Sequence, residues 1–362
     1  MIGLIGGGVV LAAGAVAGGF VATRRPNAAL APWDAAGAYD DPRMAALSWA
    51  ILAPNPHNRQ PWLAQLVGED AILVWRDKAL NLPETDPFDR QLTIGMGCFL
   101  EVLRQAAAQQ GLLAEFTLFP EGDDGPVAHV RLAPGGQPDP LFIHVPDRHT
   151  NREAYEDRLP AKPALAALSN EASRLVTEPD EVAVLRGLTW EAMRIEMTTP
   201  RTHLESVDLM RFGKGEIEVN PDGISLGGPM LEGLMALGLL TREGQGDPGS
   251  GEYRQALDMI KAAMDATTAY AVVTTAGNRR ADQIEAGRRW VRLHLAATGQ
   301  GLAVQPLSQA LQEYREQADL HARAHGLLAA PDETVQMLGR VGYAPPIDPS
   351  PRWPLESRIV NA

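Results

Sequence analysis

Two stretches of this chain, 190 residues apart, are versions of one another. "TIGMGCFLEVLRQAAAQQGLLAEF" begins at Thr93 and "QIEAGRRWVRLHLAATGQGLAVQP" begins at Gln283. In that register they share Ile, Gly, Leu, Ala, Ala, Gln, Gly and Leu, eight of 24 positions, where chance gives about two or three in helices this rich in Ala, Gly and Leu. Each copy has helical apolar spacing, closes on a Gly-Leu pair and then turns apolar. A glycine just past the last turn is the simple stop signal for such a helix. Two unrelated amphipathic helices would also fit the pattern. A duplicated unit accounts for the length as well: 362 residues hold two copies of something that would otherwise pair as a homodimer.

The rest of the chain alternates short apolar runs with long helical stretches, an α+β pattern. Residues 42–53 read as a helix with Asp41 as N-cap and Pro42 in its first turn. "WLAQLV" and "AILVWR" flank Gly68-Glu69-Asp70 and read as a hairpin. Residues 92–110 are helical, and "AEFTLFP" and "VAHVRLAP" are two more strands. Helices are expected over 163–175, 182–210, 281–298 and 308–326. Strands are expected at "AYAVVTTA" and "TVQMLGRVGYAP", and a short strand or loop at "GLAVQPL". Residues 211–229, "RFGKGEIEVNPDGISLGGP", read as an irregular Gly-rich arm or lid. The expected fold is α+β, with mixed sheets flanked by long helices in two pseudo-repeated halves. The boundaries read as 1–22, a signal or transmembrane segment; 23–41, a linker; 42–145, the first half; and 146–362, the second.

Residues 2–22 carry no charged side chain. That length can cross a bilayer as a helix, and its Gly/Ala content also fits the apolar region of an export signal. No basic head precedes it; Arg24 and Arg25 follow instead. The positive-inside rule puts that flank in the cytoplasm if the segment is retained. The expected location is the cell envelope, membrane-anchored through residues 2–22 if these are uncleaved, or exported to the periplasm. "GLIGGG" has no strand before it and does not read as a dinucleotide loop. The formal net charge of −13 disfavours nucleic acid. Cys98 is the only cysteine, so there is no intrachain disulfide and no cysteine zinc site. His321 and His325 stand one turn apart without a third ligand, so no metal site is expected.

Three clusters have residues suited to chemistry. "APNPHNRQPW", 53–62, places His57, Asn58, Gln60, Pro61 and Trp62 in a proline-stiffened loop. Prolines fix the backbone, and side-chain amides match the alternating donors and acceptors along a flat heterocycle. The same residues would also suit a plain structural loop. "DRHTNREAY", 147–155, spaces Arg148 and Arg152 four apart, which suits an anion cradle or a solvated helix start paired with Glu153 and Glu156. "SPRWPLE", 350–356, holds Arg352 between prolines.

Together these clusters resemble the FMN-dependent nitroreductase superfamily. Ala53 to Trp62 matches its "APSxxNxQPW", with Asn55 where the family has Ser. "RHTNR" is similar to its "RRTNR", with His149 for an Arg. "GRVGYAPPIDPSPRWPLE" is similar to its "RxGxAP…PRRPLE", with Trp353 for an Arg. The order of the pieces and the internal echo resemble the Acg-like branch, in which one chain mimics the usual dimer. The resemblance covers roughly residues 45–360. It implies FMN at the junction of the halves, contacted by Gln60, Pro61 and Trp62, with His57 and Asn58 nearby. It also implies that Arg148, Asn151, Arg152 and Arg352 hold the phosphate and ribityl chain. The flavin N5 would carry the chemistry, so no catalytic side chain is expected. The implied activity is an oxidoreductase that takes hydride from NAD(P)H or another donor and reduces a nitroaromatic, a quinone or a similar flat small-molecule acceptor. The alternative in that branch is a protein that stores or sequesters flavin without turnover.

Overall fold

The computed structural model describes residues 23–360. The signal or transmembrane reading of residues 1–22 therefore lies outside the described residues. Among the described residues no helix is long and apolar enough to cross a membrane.

Helix α1 (Asn27–Asp34) and helix α2 (Pro42–Ala50) lead into the proline loop. Asp41 caps α2 by accepting from the Arg43 amide at 2.8 Å. Strands β1 (Trp62–Val67) and β2 (Ala71–Arg76) form the expected hairpin. Helix α3 (Arg90–Gln109) follows, then β3 (Leu112–Leu118) and β4 (Ala128–Pro134). The first sheet has the order β1-β2-β4-β3, antiparallel throughout.

The later part begins with α4 (Lys162–Leu168), β5 (Arg174–Val176), α5 (Pro179–Thr198) and α6 (Pro200–Asp208). Next come β6 (Met210–Phe212), α7 (Gly213–Val219), β7 (Ile224–Leu226), α8 (Pro229–Ala236), α9 (Arg242–Gly246) and α10 (Gly251–Asp265). The chain then runs β8 (Ala269–Thr275), α11 (Arg280–Gly299), β9 (Ala303–Pro306), α12 (Ala318–Leu328) and β10 (Thr334–Gly342). The second sheet is β5-β8-β10-β9, also antiparallel. In both sheets an inner strand leads into a 20-residue helix. That helix feeds an edge strand, which returns to the other inner strand.

The echoed helices α3 and α11 pack on each other at the centre of the core. A Cβ on Gly97 would collide with the Ile284 carbonyl, and one on Gly287 with the Ile94 carbonyl. Residue 94 answers to 284 and 97 to 287 in the 190-residue register. The contact is therefore reciprocal, as across a two-fold axis. Only glycine lets the two backbones come this close.

The C-terminal tail crosses back to the first sheet. Ile359 bridges Ala64 in parallel, and the Val360 amide donates to the Ala64 carbonyl at 2.8 Å. This crossing lays residues 350–353 along the proline loop.

Several elements differ from expectation. The 23–41 stretch contains α1, whose propensity is poor because Pro32 lies inside it; burial of Ala29, Leu30 and Pro32 supplies the stability. The 182–210 helix breaks at Thr199, because Pro200 opens a new helix. The 163–175 helix stops at Leu168, and its last residues become edge strand β5. Residues 211–229 are ordered as β6, α7 and β7. The 308–326 stretch yields two single 3-10 turns before α12. There Gln312 donates to Glu196 at 2.5 Å and Gln317 to the Ala192 carbonyl at 2.7 Å, tertiary bonds that replace the first helical turns.

Candidate functional site

The proline loop leaves the C-terminus of α2 and turns sharply. His57, Asn58 and Gln60 have φ of 46°, 51° and 52°. Left-handed backbone at three non-glycine residues costs about 1 kcal/mol or more each, so neighbouring contacts must offset it. Asn55 closes the loop: its Oδ1 accepts from the Gln60 amide at 2.7 Å. The Asn58 Nδ2 donates to the Pro351 carbonyl at 3.0 Å, and its Oδ1 accepts from Arg352 at 2.8 Å. Gln60 is wholly buried. Its Oε1 accepts from the Trp353 amide at 2.9 Å, and its Nε2 donates to the Pro221 carbonyl at 2.7 Å. Both amides thus staple the loop to the C-terminal tail and to the segment after α7.

Arg352 is fully buried against the end of α2. Its Nε donates to the Ile51 carbonyl at 2.8 Å, and its Nη2 to Leu52 at 3.0 Å and Ala53 at 3.2 Å. A guanidinium here satisfies carbonyls that a helix end leaves without partners and complements the negative end of its dipole. Arg148 lies on the same carbonyls, with Nη2 donating to Leu52 at 3.1 Å. Its Nη1 is buried without a partner, as are Nδ1 of His149 and Nδ1 of His294. The ring Nε2 of His294 meets the His149 carbonyl at 3.2 Å. Among the described residues no carboxylate hydrogen-bonds to Arg148 or Arg352.

The electrostatics follow from this crowding. Burial, then the Arg148 charge, lowers Arg352 to about 9. Burial lowers Arg148 to about 10. Burial, then Arg148 and Arg352, depresses His149 to about 3 and keeps it neutral. His294 is driven well below its ordinary value by burial and then by Arg148. A buried patch of cations and imidazoles with unpaired donors and no counter-charge is chemically complete only with an anion.

Helix α1 covers this patch, and the segment after α7 covers the proline loop beside it. From α1, Trp33 packs edge-on against His149 at 4.9 Å and over the Arg352 guanidinium at 5.3 Å. It donates to the Ser350 carbonyl at 2.8 Å, and the Ala29 carbonyl accepts from the Arg352 amide. From beyond α7, Asp222 is buried and pairs with Arg59 of the loop and with Arg211 at 2.7 Å.

The remaining expected residues take other places. Trp62 is buried in the core, stacked on Phe99 at 5.0 Å, and Pro61 is buried beside it. The Asn151 side chain donates to the Pro345 carbonyl at 2.8 Å, and its amide to Val304 at 3.1 Å. Arg152 is exposed and outside the Arg148–Arg352 patch. His57 is half-buried and lowered to about 4 by burial, then by the Arg152 and Arg59 charges. Sequence reasoning missed His294, Trp33, Arg59 and Asp222. His294 carried a signal, a histidine on an otherwise apolar helix face. Trp33 was hidden in a stretch with no visible period.

The architecture is α+β, with two four-stranded antiparallel sheets of matching strand plan arranged around one central helix pair. No family model matches the chain. Over 330 residues it is 26% identical to a Mycobacterium tuberculosis protein named "Putative NAD(P)H nitroreductase Rv3131", covering 87% of this chain and 90% of that one. A second protein of that organism, "Putative NAD(P)H nitroreductase acg", is 35% identical over 81 residues, 22% of this chain and 24% of the other. Among solved structures, one described as "a putative nitroreductase" from Anabaena variabilis aligns with a TM-score of 0.41 at 12% identity, over 76% of this chain and 69% of that chain. The FMN-dependent nitroreductase of Mycobacterium smegmatis in complex with NADPH aligns with a TM-score of 0.35 at 15% identity, over 58% and 92%.

Proposed function

We propose that this chain binds FMN at the Arg148–Arg352 patch and works as a nitroreductase-type oxidoreductase of the Acg-like, single-chain kind. The observation that carries the reading is the unpaired, buried Nη1 of Arg148, beside His149 and His294, with no carboxylate to neutralise it. The FMN phosphate has the charge and acceptors this donor set lacks. Bound FMN would supply hydride chemistry, with NAD(P)H as donor and a nitroaromatic, quinone or other flat small molecule as acceptor. Arg148 would hold the phosphate. Arg352, Asn58 and Gln60 would keep the proline loop fixed beside it, and Trp33 would exclude water from the cationic patch. The names of the M. tuberculosis relatives support the reaction class.

A second reading, flavin storage without turnover, is favoured by the cover: α1 closes on the patch, and the Asp222 segment closes on the proline loop beside it. The full chain, purified in detergent and reconstituted with FMN, separates the readings. A yellow protein that NADH or NADPH bleaches anaerobically supports the enzyme. A yellow protein that neither donor bleaches supports storage. Absence of bound chromophore after reconstitution refutes both.

A further inference from the structure

We propose that α8 and the turn after it form a face that docks on a lipid bilayer, next to the point where residues 2–22 enter that bilayer. Apart from two glycines and Glu232, all nine other residues of "PMLEGLMALGLL" (229–240) are Met, Leu, Ala or Pro, yet α8 has no buried residue. Met230 is 74% exposed, Leu237 73% and Leu239 59%. Met230, Leu234 and Leu237 follow one another at i, i+4 and i+7, so they share one side of the helix. Val219, at the end of neighbouring α7, is also exposed, at 70%. An apolar helix with Met230, Leu237 and the following Leu239 open to water, and no residue buried, needs a cover on that side.

The chain itself identifies the cover. Arg24 pairs with Glu232 of α8 at 3.1 Å, and Lys214 of α7 donates to the Thr23 carbonyl at 3.2 Å. The root of the N-terminal segment is therefore fastened to α8. Residues 2–22 are free of charge, and as a helix they would run about 30 Å, the depth of a bilayer core. Arg24 and Lys214 at the rim are paired with Glu232 and Glu218, and Arg25 is exposed there, a cation placed to meet headgroups beside the entry point. A bilayer entered by residues 2–22 would lie against Met230, Leu237 and Leu239. This inference is independent of the flavin reading.

The test uses the full chain reconstituted into vesicles of phosphatidylcholine and phosphatidylglycerol. Cysteine is placed at Met230→Cys, Leu237→Cys and, as a control in the exposed β3–β4 turn, Asp123→Cys. Each is labelled with a polarity-sensitive fluorophore; native Cys98 is buried and stays unlabelled. The expected result is loss of iodide quenching and gain of quenching by nitroxide-bearing lipid at 230 and 237, with the reverse at 123. Probes at 230 and 237 that stay open to iodide overturn the proposal, whether or not the chain enters the vesicle. So do probes shielded from both quenchers, since residues 2–22 would then be folded back onto α8. Shielding that rises with protein concentration overturns it in favour of a second copy.

Discussion

Replacing Arg148 by Met should do two opposite things. In the cofactor-free protein Arg148 is a buried cation whose one side-chain hydrogen bond among the described residues is to the Leu52 carbonyl, and it lowers Arg352 and both neighbouring imidazoles. Exchanging a buried charge for an apolar side chain of similar volume is often stabilising by about 1–4 kcal/mol. The lost bond takes back about 1 kcal/mol, and Leu52 keeps a second donor in Arg352. A net gain of about 1–2 kcal/mol follows, which raises the melting temperature by a few degrees in a chain of this size. With FMN the sign reverses. A charge-assisted contact contributes about 1.5–3 kcal/mol, so affinity falls about 10- to 150-fold. Thermal melts with and without FMN, together with a flavin fluorescence titration, measure both effects. A variant that melts lower than the parent and binds FMN equally well would show that Arg148 is purely a structural brace, and the reasoning would fail.

Arg352→Ala should chiefly destabilise, by about 3–5 kcal/mol, because it strips the Ile51 carbonyl of its donor, leaves Leu52 only Arg148 and Ala53 only Asn55, and removes the bonds to Asn58 and Ser350; a denaturant titration reads this directly. Gly97→Ala and Gly287→Ala should each cost about 3 kcal/mol or more by forcing the helix pair apart, measurable as a fall in melting temperature. Stability of the cofactor-free protein should decline on acidification. His149 and His57 have folded pKa values of about 3 and about 4, below the ordinary 6.5. The unfolded chain therefore binds protons first, and stability present above pH 6.5 is lost as pH falls towards those values. The slope is about 1.4 kcal/mol per pH unit for each such histidine. Denaturant midpoints between pH 7 and pH 4 test it, and His149→Gln should flatten the curve.

The hairpin, the two long helices and the last strand were legible because apolar spacing and turn residues agree there. Helix α1 was not, since its stability lies in contacts with residues 350–352 more than 300 positions away. The site was legible in its parts and not in its assembly. Asn58 and Gln60 read as free amides, yet the tail that crosses back to β1 takes up their hydrogen bonds. The bonds of Arg352 to the end of α2 could not be read from "SPRWPLE" either. Nothing local encodes that crossing. The unpaired donor of Arg148 arises only when three distant segments meet.

The helix pair has one more consequence. A true homodimer must write every change twice, once on each side of its axis; a fused chain escapes that constraint. In the 190-residue register Arg104 answers to His294. Around Arg104 the charges are quenched internally: it binds Glu101 at 2.6 Å and Asp139 at 2.8 Å, and Arg288 and Arg292 join the same carboxylates. Around His294 the positive charge is left open. Symmetry survives in the backbone and has been broken in the charges: one side is neutralised within the fold, and the other keeps its positive charge.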